Sequence, residues 1–188
     1  MDYSIKTGDP AQLRTACLVL GVFSRRKLTP LAQQVDKACK GHLSQLLNRG
    51  DMDGNPGQQL MVYDVPGVAA DRILLVGLGK PRELNLKTYC GALAAAIKQL
   101  NQGHPTEAVW ALSEVEIADK TLYQTVRESV LCAEASLYEY TETKSETKKN
   151  TRALKRLGIL VHDRRQQKAA RKALDHAVAI AKGVSLTK

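Results

Sequence analysis

The chain has 188 residues, a mass of 20.6 kDa, 44% apolar residues and 25% charged residues, the composition of an ordinary globular domain. This excludes a disordered or fibrous protein, and a domain of this size folds without a disulfide or metal staple. No stretch approaches the roughly 18 uninterrupted apolar residues that indicate a membrane-spanning helix, and the first ten residues lack the pattern of a secretory signal. The sequence therefore predicts a cytoplasmic protein without a membrane partner.

The net charge of +9 is concentrated at one end of the chain. Residues 144–188 contain 13 Lys and Arg and 3 acidic residues, a net charge of +10, whereas residues 1–143 contain 15 basic and 16 acidic residues. Such an asymmetry indicates either an anionic partner at the C-terminal end or a complementary acidic surface elsewhere. The charge count alone does not separate these alternatives.

The four cysteines are scattered through apolar or helical segments and form no CxxC pair; they are Cys17, Cys39, Cys90 and Cys132. This spacing is neither that of a zinc ribbon nor that of a disulfide scaffold. The pattern predicts reduced, buried thiols, as in a cytosolic protein.

Apolar periodicity alternates between two and 3.6 along the chain, which predicts an α/β fold. The expected strands, in chain order, are residues 3–6, 16–23, 59–65, 72–77, 108–112 and 157–161. The run ACLVLGVF at 16–23 is nearly unbroken and is typical of a strand buried on both faces. About six strands alternating with helices predict a mixed, mostly parallel sheet between two helical layers, a three-layer α/β/α domain.

Helices are predicted where apolar residues recur at three-and-four spacing after a capping residue. In chain order, they begin after Thr29, near His42, after Asn85, after Asp119 and after Asp163. In the last helix, one apolar stripe comprises Ala170, Leu174, Ala177 and Ile180. Loops are expected at residues 51–57, which are dense in turn formers, and at residues 141–152, which include no apolar residue.

Motifs for known chemistry are incomplete. Gly77-Leu78-Gly79-Lys80 follows a strand, but its surroundings lack the residues of a P-loop or a dinucleotide fingerprint, so a plain strand-ending turn is expected. The histidines form no HxxxH or HExxH pair that would bind a metal. His162 follows a strand, where catalytic residues of α/β folds often lie, but a structural or solvated role is the favoured interpretation.

Basic residues between 148 and 156 are the one feature that composition leaves unexplained. They could bind phosphate backbones with a steep salt dependence, and the favoured alternative is a solvated helix face with a loop. The candidate nucleic-acid-binding residues are Lys148, Lys149, Arg152, Lys155 and Arg156.

The segments HLSQLLNRGDMDGNPG at 42–57 and GQQLMVYDVPGVAADRILLVGLGK at 57–80 resemble the N-terminal domain of leucyl aminopeptidases, the cytosol aminopeptidase family. The resemblance extends in order through the whole chain, including residues 181–188. It implies a macro-domain-like fold at residues 1–163 and, at residues 164–188, a linker helix leading to a catalytic domain.

The resemblance also implies a hexameric, cytoplasmic parent enzyme, more than twice as long, that removes N-terminal amino acids from peptides. Two divalent metals, manganese or zinc, would bind in its catalytic domain and lower the pKa of the water that attacks the peptide bond. The family's NTDAEGR motif is absent from these 188 residues. This segment is therefore expected to hold no metal, cofactor or catalytic residue and to be inactive alone.

The sequence leaves three functions open. The leading one is a non-catalytic module that contacts its own catalytic domain, with acidic groups there facing Arg164, Arg171 and Lys172. The second is a DNA-binding regulatory module, because some bacterial members of the family resemble DNA-binding accessory factors. The third, which rests on fold analogy alone, is a macro-like pocket for ADP-ribose or a similar nucleotide.

Overall fold

A computed structural model describes residues 1–102, 105–142 and 154–186, and within them seven strands form one sheet. The strands are β1 (Asp2–Lys6), β2 (Leu18–Phe23), β3 (Lys27–Leu28), β4 (Gln59–Tyr63), β5 (Arg72–Gly79), β6 (Glu107–Trp110) and β7 (Arg156–Leu160). Their order is β1-β7-β6-β2-β5-β4, with the short β3 paired antiparallel to β2 off this path. Four neighbouring pairs are parallel and β4 is antiparallel to β5, which confirms the expected mixed sheet.

Helices cover both faces of the sheet. They are α1 (Pro30–Ala38), α2 (His42–Arg49), α3 (Leu86–Gln102), α4 (Leu122–Glu142) and α5 (Gln167–Leu186). On β2, Leu18 and Leu20 pack with α1 and α2, whereas Val19 packs with α3. The helix α4 packs against both α3 and α5 on the second face. The three-layer α/β/α prediction is thus confirmed, and both faces of β2 are buried as expected.

Membrane crossing demands a helix that is both long and strongly apolar. None of the helices in the described ranges meets these two conditions together.

The predicted cap of α3 forms, but the predicted cap of α4 is wrong. Asn85 Oδ1 accepts a hydrogen bond from the Thr88 N–H at 3.0 Å. At α4, Thr121 Oγ1 accepts from the Gln124 N–H at 3.3 Å, and Gln124 Oε1 accepts from the Thr121 N–H at 2.9 Å. This reciprocal pair is a capping box. Asp119 lies two residues earlier with a φ of 58°, so the chain turns there before the helix begins.

The last helix follows its prediction except at one position. Asp163 Oδ1 accepts a hydrogen bond from the Arg165 N–H at 2.9 Å, at a single 3-10 turn that leads into α5. Ala170, Leu174 and Ala177 are buried, but Ile180 is 45% exposed. Among the α5 residues up to 183, whose burial the structure describes, none beyond Ala177 is fully buried in the apolar cluster that covers the stripe, so Ile180 lies past the end of that cluster.

The expectation of reduced thiols is wrong for two cysteines. Cys90 of α3 and Cys132 of α4 form a disulfide, with Cα atoms 5.6 Å apart. These residues are 42 positions apart and meet because α3 packs against α4, a tertiary contact that cysteine spacing does not reveal. Cys17 and Cys39 are free and buried, and burial raises the pKa of the Cys17 thiol to about 12.

Candidate functional site

The predicted nucleic-acid-binding residues lie only partly in the described structure. Lys148, Lys149 and Arg152 fall outside the described residues. Lys155 and Arg156 are exposed at the start of β7, where both backbone N–H groups donate to the Thr106 carbonyl. Arg156 Nε lies 3.3 Å from Glu107 Oε2, so a neighbouring carboxylate compensates part of this charge.

Further basic residues surround the start of α5. Arg164, Lys168, Arg171 and Lys172 are exposed. Arg165 differs, because its Nε and Nη2 atoms each lie 3.1 Å from a carboxylate oxygen of Asp163. These hydrogen bonds lower the pKa of Asp163 and raise that of Arg165. The surface is therefore strongly basic, with one arginine engaged locally.

A crevice of about 260 Å³ opens beyond the carboxyl ends of β6 and β7, the edge at which parallel α/β sheets commonly bind ligands. Its walls come from the segment between β6 and α4, from Leu122 and Thr125 at the start of α4, and from Asp163 and Gln166. The Glu114 carboxylate accepts hydrogen bonds from the backbone N–H groups of His162 and Asp163. Glu114 thereby joins the loop after β6 to the loop after β7. Sequence reasoning missed this connection. The place of Glu114 four residues beyond Trp110, the last residue of a parallel strand, was the available signal.

The crevice has two chemically different ends. The carboxylates of Glu114, Glu116 and Asp163 line the larger cavity together with the ammonium group of Lys120. A smaller cavity of about 70 Å³ shares Glu114 with it and reaches Thr29 at the start of α1. The larger cavity, which is lined by carboxylates, therefore adjoins a smaller cavity at the N-terminus of α1.

Thr29 occupies the predicted cap position of α1, but its hydroxyl forms no capping hydrogen bond. Thr29 is 1% exposed, and its Oγ1 lacks a hydrogen-bond partner in the part of the chain that the structure describes. The first turn of a helix also has backbone N–H groups without intrahelical partners, and these favour anions. The small cavity is thus suited to a ligand that offers a hydrogen-bond acceptor.

The remaining sequence candidates have local structural roles. A Cβ atom at Gly77 would lie 2.0 Å from the Asn55 carbonyl oxygen, so this glycine admits a neighbouring loop. The expected turn at Gly77 is wrong, because β5 continues through Gly79 and the chain leaves the strand only after it. Lys80 Nζ lies 2.8 Å from Glu83 Oε1.

His162 is exposed, and the ring of His176 contacts Tyr123 through Nδ1. Among the described residues, no group of three or more His, Cys, Asp and Glu is placed to hold a metal ion.

A family model described as the cytosol aminopeptidase family, N-terminal domain, matches residues 19–147. The chain belongs to the cytosol aminopeptidase family. The probable cytosol aminopeptidase of Vibrio parahaemolyticus is 41% identical over 188 residues, which are 100% of this chain and 38% of that protein. That of Aeromonas hydrophila is 41% identical over 184 residues, 98% of this chain and 37% of that protein. The chain thus corresponds to the N-terminal domain and spans under two-fifths of these relatives.

Solved structures agree on the fold of this aminopeptidase-family domain. A tomato leucine aminopeptidase mutant matches with a TM-score of 0.70 at 22% identity, over 99% of this chain and 37% of that chain. The GDAP2 macro domain matches with a TM-score of 0.69 at 12% identity, over 92% of this chain and 82% of that chain. A Trypanosoma brucei macrodomain in complex with ADP matches with a TM-score of 0.64 at 10% identity, over 92% of this chain and 69% of that chain. The macro-domain-like architecture predicted from the sequence is confirmed.

Proposed function

We propose that this chain is the non-catalytic N-terminal domain of a cytoplasmic, metal-dependent leucyl aminopeptidase. The complete enzyme would be a homo-hexamer that removes N-terminal amino acids from peptides. Two divalent metal ions, manganese or zinc, would bind in a separate catalytic domain and generate the attacking hydroxide from water. The role of the present domain would be to contact that catalytic domain.

The observation that carries this proposal is the 41% identity between the whole chain and only 38% of a protein named probable cytosol aminopeptidase. The rest of the relative's length leaves room for a catalytic domain. The tomato leucine aminopeptidase match has the same proportions, with 99% of this chain on 37% of that one. Both comparisons therefore support an accessory domain joined to a larger partner.

An immunoblot of source-cell lysate, combined with a leucine-release assay of the same fractions, tests this proposal. We expect a band of more than twice 20.6 kDa that coincides with metal-dependent activity, and no activity from the 188-residue chain supplied with Mn²⁺ or Zn²⁺. A sole band near 20.6 kDa would overturn the proposal and favour a standalone binding module.

The surface proposed to meet the catalytic domain is the basic surface at the start of α5. Arg164 lies in the turn before this helix, Arg171 and Lys172 lie in its first two turns, and all three are exposed. Interfaces between domains of one chain are commonly polar, with charged groups at their rim. In the complete enzyme, we expect acidic groups opposite the three basic residues. A structure of that enzyme without such groups would contradict the assignment.

DNA binding is the second candidate, favoured by the net charge of +10 in residues 144–188. Mobility shifts of a DNA duplex over a range of salt concentrations test it. Replacing Lys148, Lys149, Arg152, Lys155 and Arg156 by Ala should abolish the shift at moderate salt. In any binding that persists at low salt, the salt slope should flatten by roughly 0.9 for each phosphate that is no longer neutralised.

A matched control for the DNA experiment removes the same charge from exposed positions elsewhere. These positions are Lys37, Lys40, Arg49, Lys87 and Lys98. If the control weakens binding as much as the candidate variant, the binding surface is not local to residues 148–156. If the unmodified chain gives no shift at low salt, the DNA hypothesis fails.

Nucleotide binding in the crevice is the third candidate, favoured by the Thr29 hydroxyl, which has no hydrogen-bond partner among the described residues, and by the likeness to macro domains. Calorimetric titration with ADP-ribose tests it. Thr29→Val removes the hydroxyl while keeping the shape, and should weaken binding about two- to tenfold, the value of one hydrogen bond. Since Oγ1 has no described protein partner, the variant should keep its stability. Absence of binding at millimolar ligand would exclude this candidate.

A further inference from the structure

The disulfide between α3 and α4 is accessible in a way that the free thiols are not. Cys90 and Cys132 are half-buried at the rim of the apolar cluster between these helices and the sheet. Cys17 and Cys39 are 0% and 5% exposed. Thiol chemistry requires access of a reagent to the sulfur, so small thiols and disulfides from solvent reach the α3–α4 pair first.

The two cysteines stay near each other whether or not they are bonded. Tyr89, next to Cys90, is within hydrogen-bond distance of Ser129, with 2.8 Å between Tyr89 OH and Ser129 Oγ. On the far side of Cys132, the Tyr3 hydroxyl of β1 donates to Glu134 Oε1 at 2.7 Å. Ala133 of α4 is fully buried in the same cluster as α3. These contacts fix α4 beside α3 independently of the disulfide, so the bond can open without separating the helices.

We propose that Cys90 and Cys132 form a redox modification site, a dithiol–disulfide pair that exchanges with low-molecular-weight disulfides such as oxidised glutathione. One cysteine thiolate attacks the glutathione disulfide, forms a mixed disulfide and releases one glutathione thiolate. The second cysteine thiolate then attacks the protein sulfur of that bond and releases the second glutathione. The protein loses two protons and two electrons, and one oxidised glutathione becomes two reduced molecules.

The oxidised pair links α3 covalently to α4 and closes a loop between residues 42 positions apart. Such a link restricts the unfolded chain and therefore stabilises the folded one. The redox state of the pair in the cell follows from the cytoplasmic location that belongs to the proposed function, because the cytosolic thiol pool keeps accessible cysteines reduced. On that basis the dithiol is the resting form and the disulfide forms under oxidative conditions. The exchange itself does not depend on that location.

Equilibration of the native 188-residue chain in glutathione buffers of increasing oxidised fraction tests the proposal. Acid quenching, alkylation and trypsin digestion should yield the peptides 88–98 and 128–144 separately at the reducing end and disulfide-linked at the oxidising end. The melting temperature should rise by about 5–15 °C across the same range. The melting temperature of a Cys90→Ser/Cys132→Ser double variant should not depend on the buffer, whereas Cys17→Ser should respond like the original chain.

Two results would overturn the proposal. Peptides that stay linked at the reducing end, in protein that remains folded, would mean a permanent structural bond. Peptides that stay separate at the oxidising end would mean that the pair does not form the bond. Neither result depends on peptidase activity, so failure here is distinguishable from failure of the aminopeptidase assignment.

Discussion

Tyr89 lies at the centre of a buried chain of hydrogen bonds that crosses the interior from the sheet to α4. Trp110 Nε1 of β6 donates to Tyr89 OH at 2.7 Å, and Tyr89 OH lies 2.8 Å from Ser129 Oγ. Ser129 Oγ also donates to the Thr125 carbonyl at 2.8 Å. Burial raises the pKa of Tyr89 to about 12, so the hydroxyl stays protonated. A polar chain of this kind contributes stability only while every member is paired.

Removing the Tyr89 hydroxyl should therefore destabilise the fold. Tyr89→Phe leaves the Trp110 N–H without an acceptor inside the protein, and we expect a loss of about 1–3 kcal/mol in the free energy of unfolding. Urea unfolding followed by the fluorescence of Trp110, the single tryptophan, measures it. Tyr63→Phe is the matched control, because Tyr63 is 60% exposed. Equal losses in both variants would contradict the role assigned to the buried chain.

Gly77 is a second residue at which a single substitution should change the stability of the fold. Because a Cβ atom there would lie 2.0 Å from the Asn55 carbonyl oxygen, Gly77→Ala should push the 54–58 loop away and cost about 1–3 kcal/mol. Gly91→Ala is the comparison, since a Cβ at Gly91 in α3 meets nothing within 4 Å. That change should stabilise by about 0.5–1 kcal/mol through helix propensity. Thermal unfolding of the two variants should thus give shifts of opposite sign.

At the scale of elements, the start of α4 shows why a cap is difficult to assign from sequence. Asp119 and Thr121 are both good N-cap residues, and only two positions separate them. The choice depends on Gln124, which bonds back to Thr121, and on the left-handed φ of 58° at Asp119. Both are local, but the sequence alone does not say which residue adopts the left-handed conformation.

The structure makes the α4 assignment testable. Thr121→Ala removes a cap oxygen and should cost about 1 kcal/mol. Asp119→Gly should be neutral or slightly stabilising, because glycine adopts positive φ without a Cβ penalty. Chemical denaturation of both variants measures the difference. A larger loss for Asp119→Gly than for Thr121→Ala would restore Asp119 as the cap.

Periodicity predicted the elements well because a strand or helix must expose or bury its side chains in a fixed repeat. The run at 16–23 and the stripe of Ala170, Leu174 and Ala177 follow that repeat and are buried. Features that depend on contacts between distant elements were not predictable in the same way. The Cys90–Cys132 bond depends on how α3 packs against α4, and the Thr29 cavity depends on how the segment after β6 lies beside the start of α1. Neither relation is encoded in local spacing.

For the whole molecule, the sheet divides the interior into layers that share the same strands. On β5, Leu74 packs in the cluster with α3, whereas Leu75 packs in the cluster with α1 and α2. Both side chains are 0% exposed. The two layers should therefore unfold together, because neither survives the loss of the strand between them.

Cavity-forming substitutions on β5 test this coupling. Leu74→Ala and Leu75→Ala should each cost about 2–5 kcal/mol and lower the midpoint of one common transition. Trp110 fluorescence reports the layer that contains Leu74, and far-ultraviolet circular dichroism reports all helices. Both probes should shift together in both variants. If Leu75→Ala moves only the circular dichroism transition, the layers unfold separately.

The position of β7 between β1 and β6 has a consequence for synthesis on the ribosome. β1 pairs with β7 from Asp2 opposite Arg156 to Lys6 opposite Leu160, so its only described partner strand emerges about 150 residues after it. At about 5–20 residues per second, the nascent chain waits roughly 10–30 s for that strand. Once β6 (Glu107–Trp110) has been made, its edge stays open to wrong partners until β7 follows about 46 residues later. Insertion of β7 closes that edge and pairs β1, so the domain completes its sheet only after most of its chain has been made.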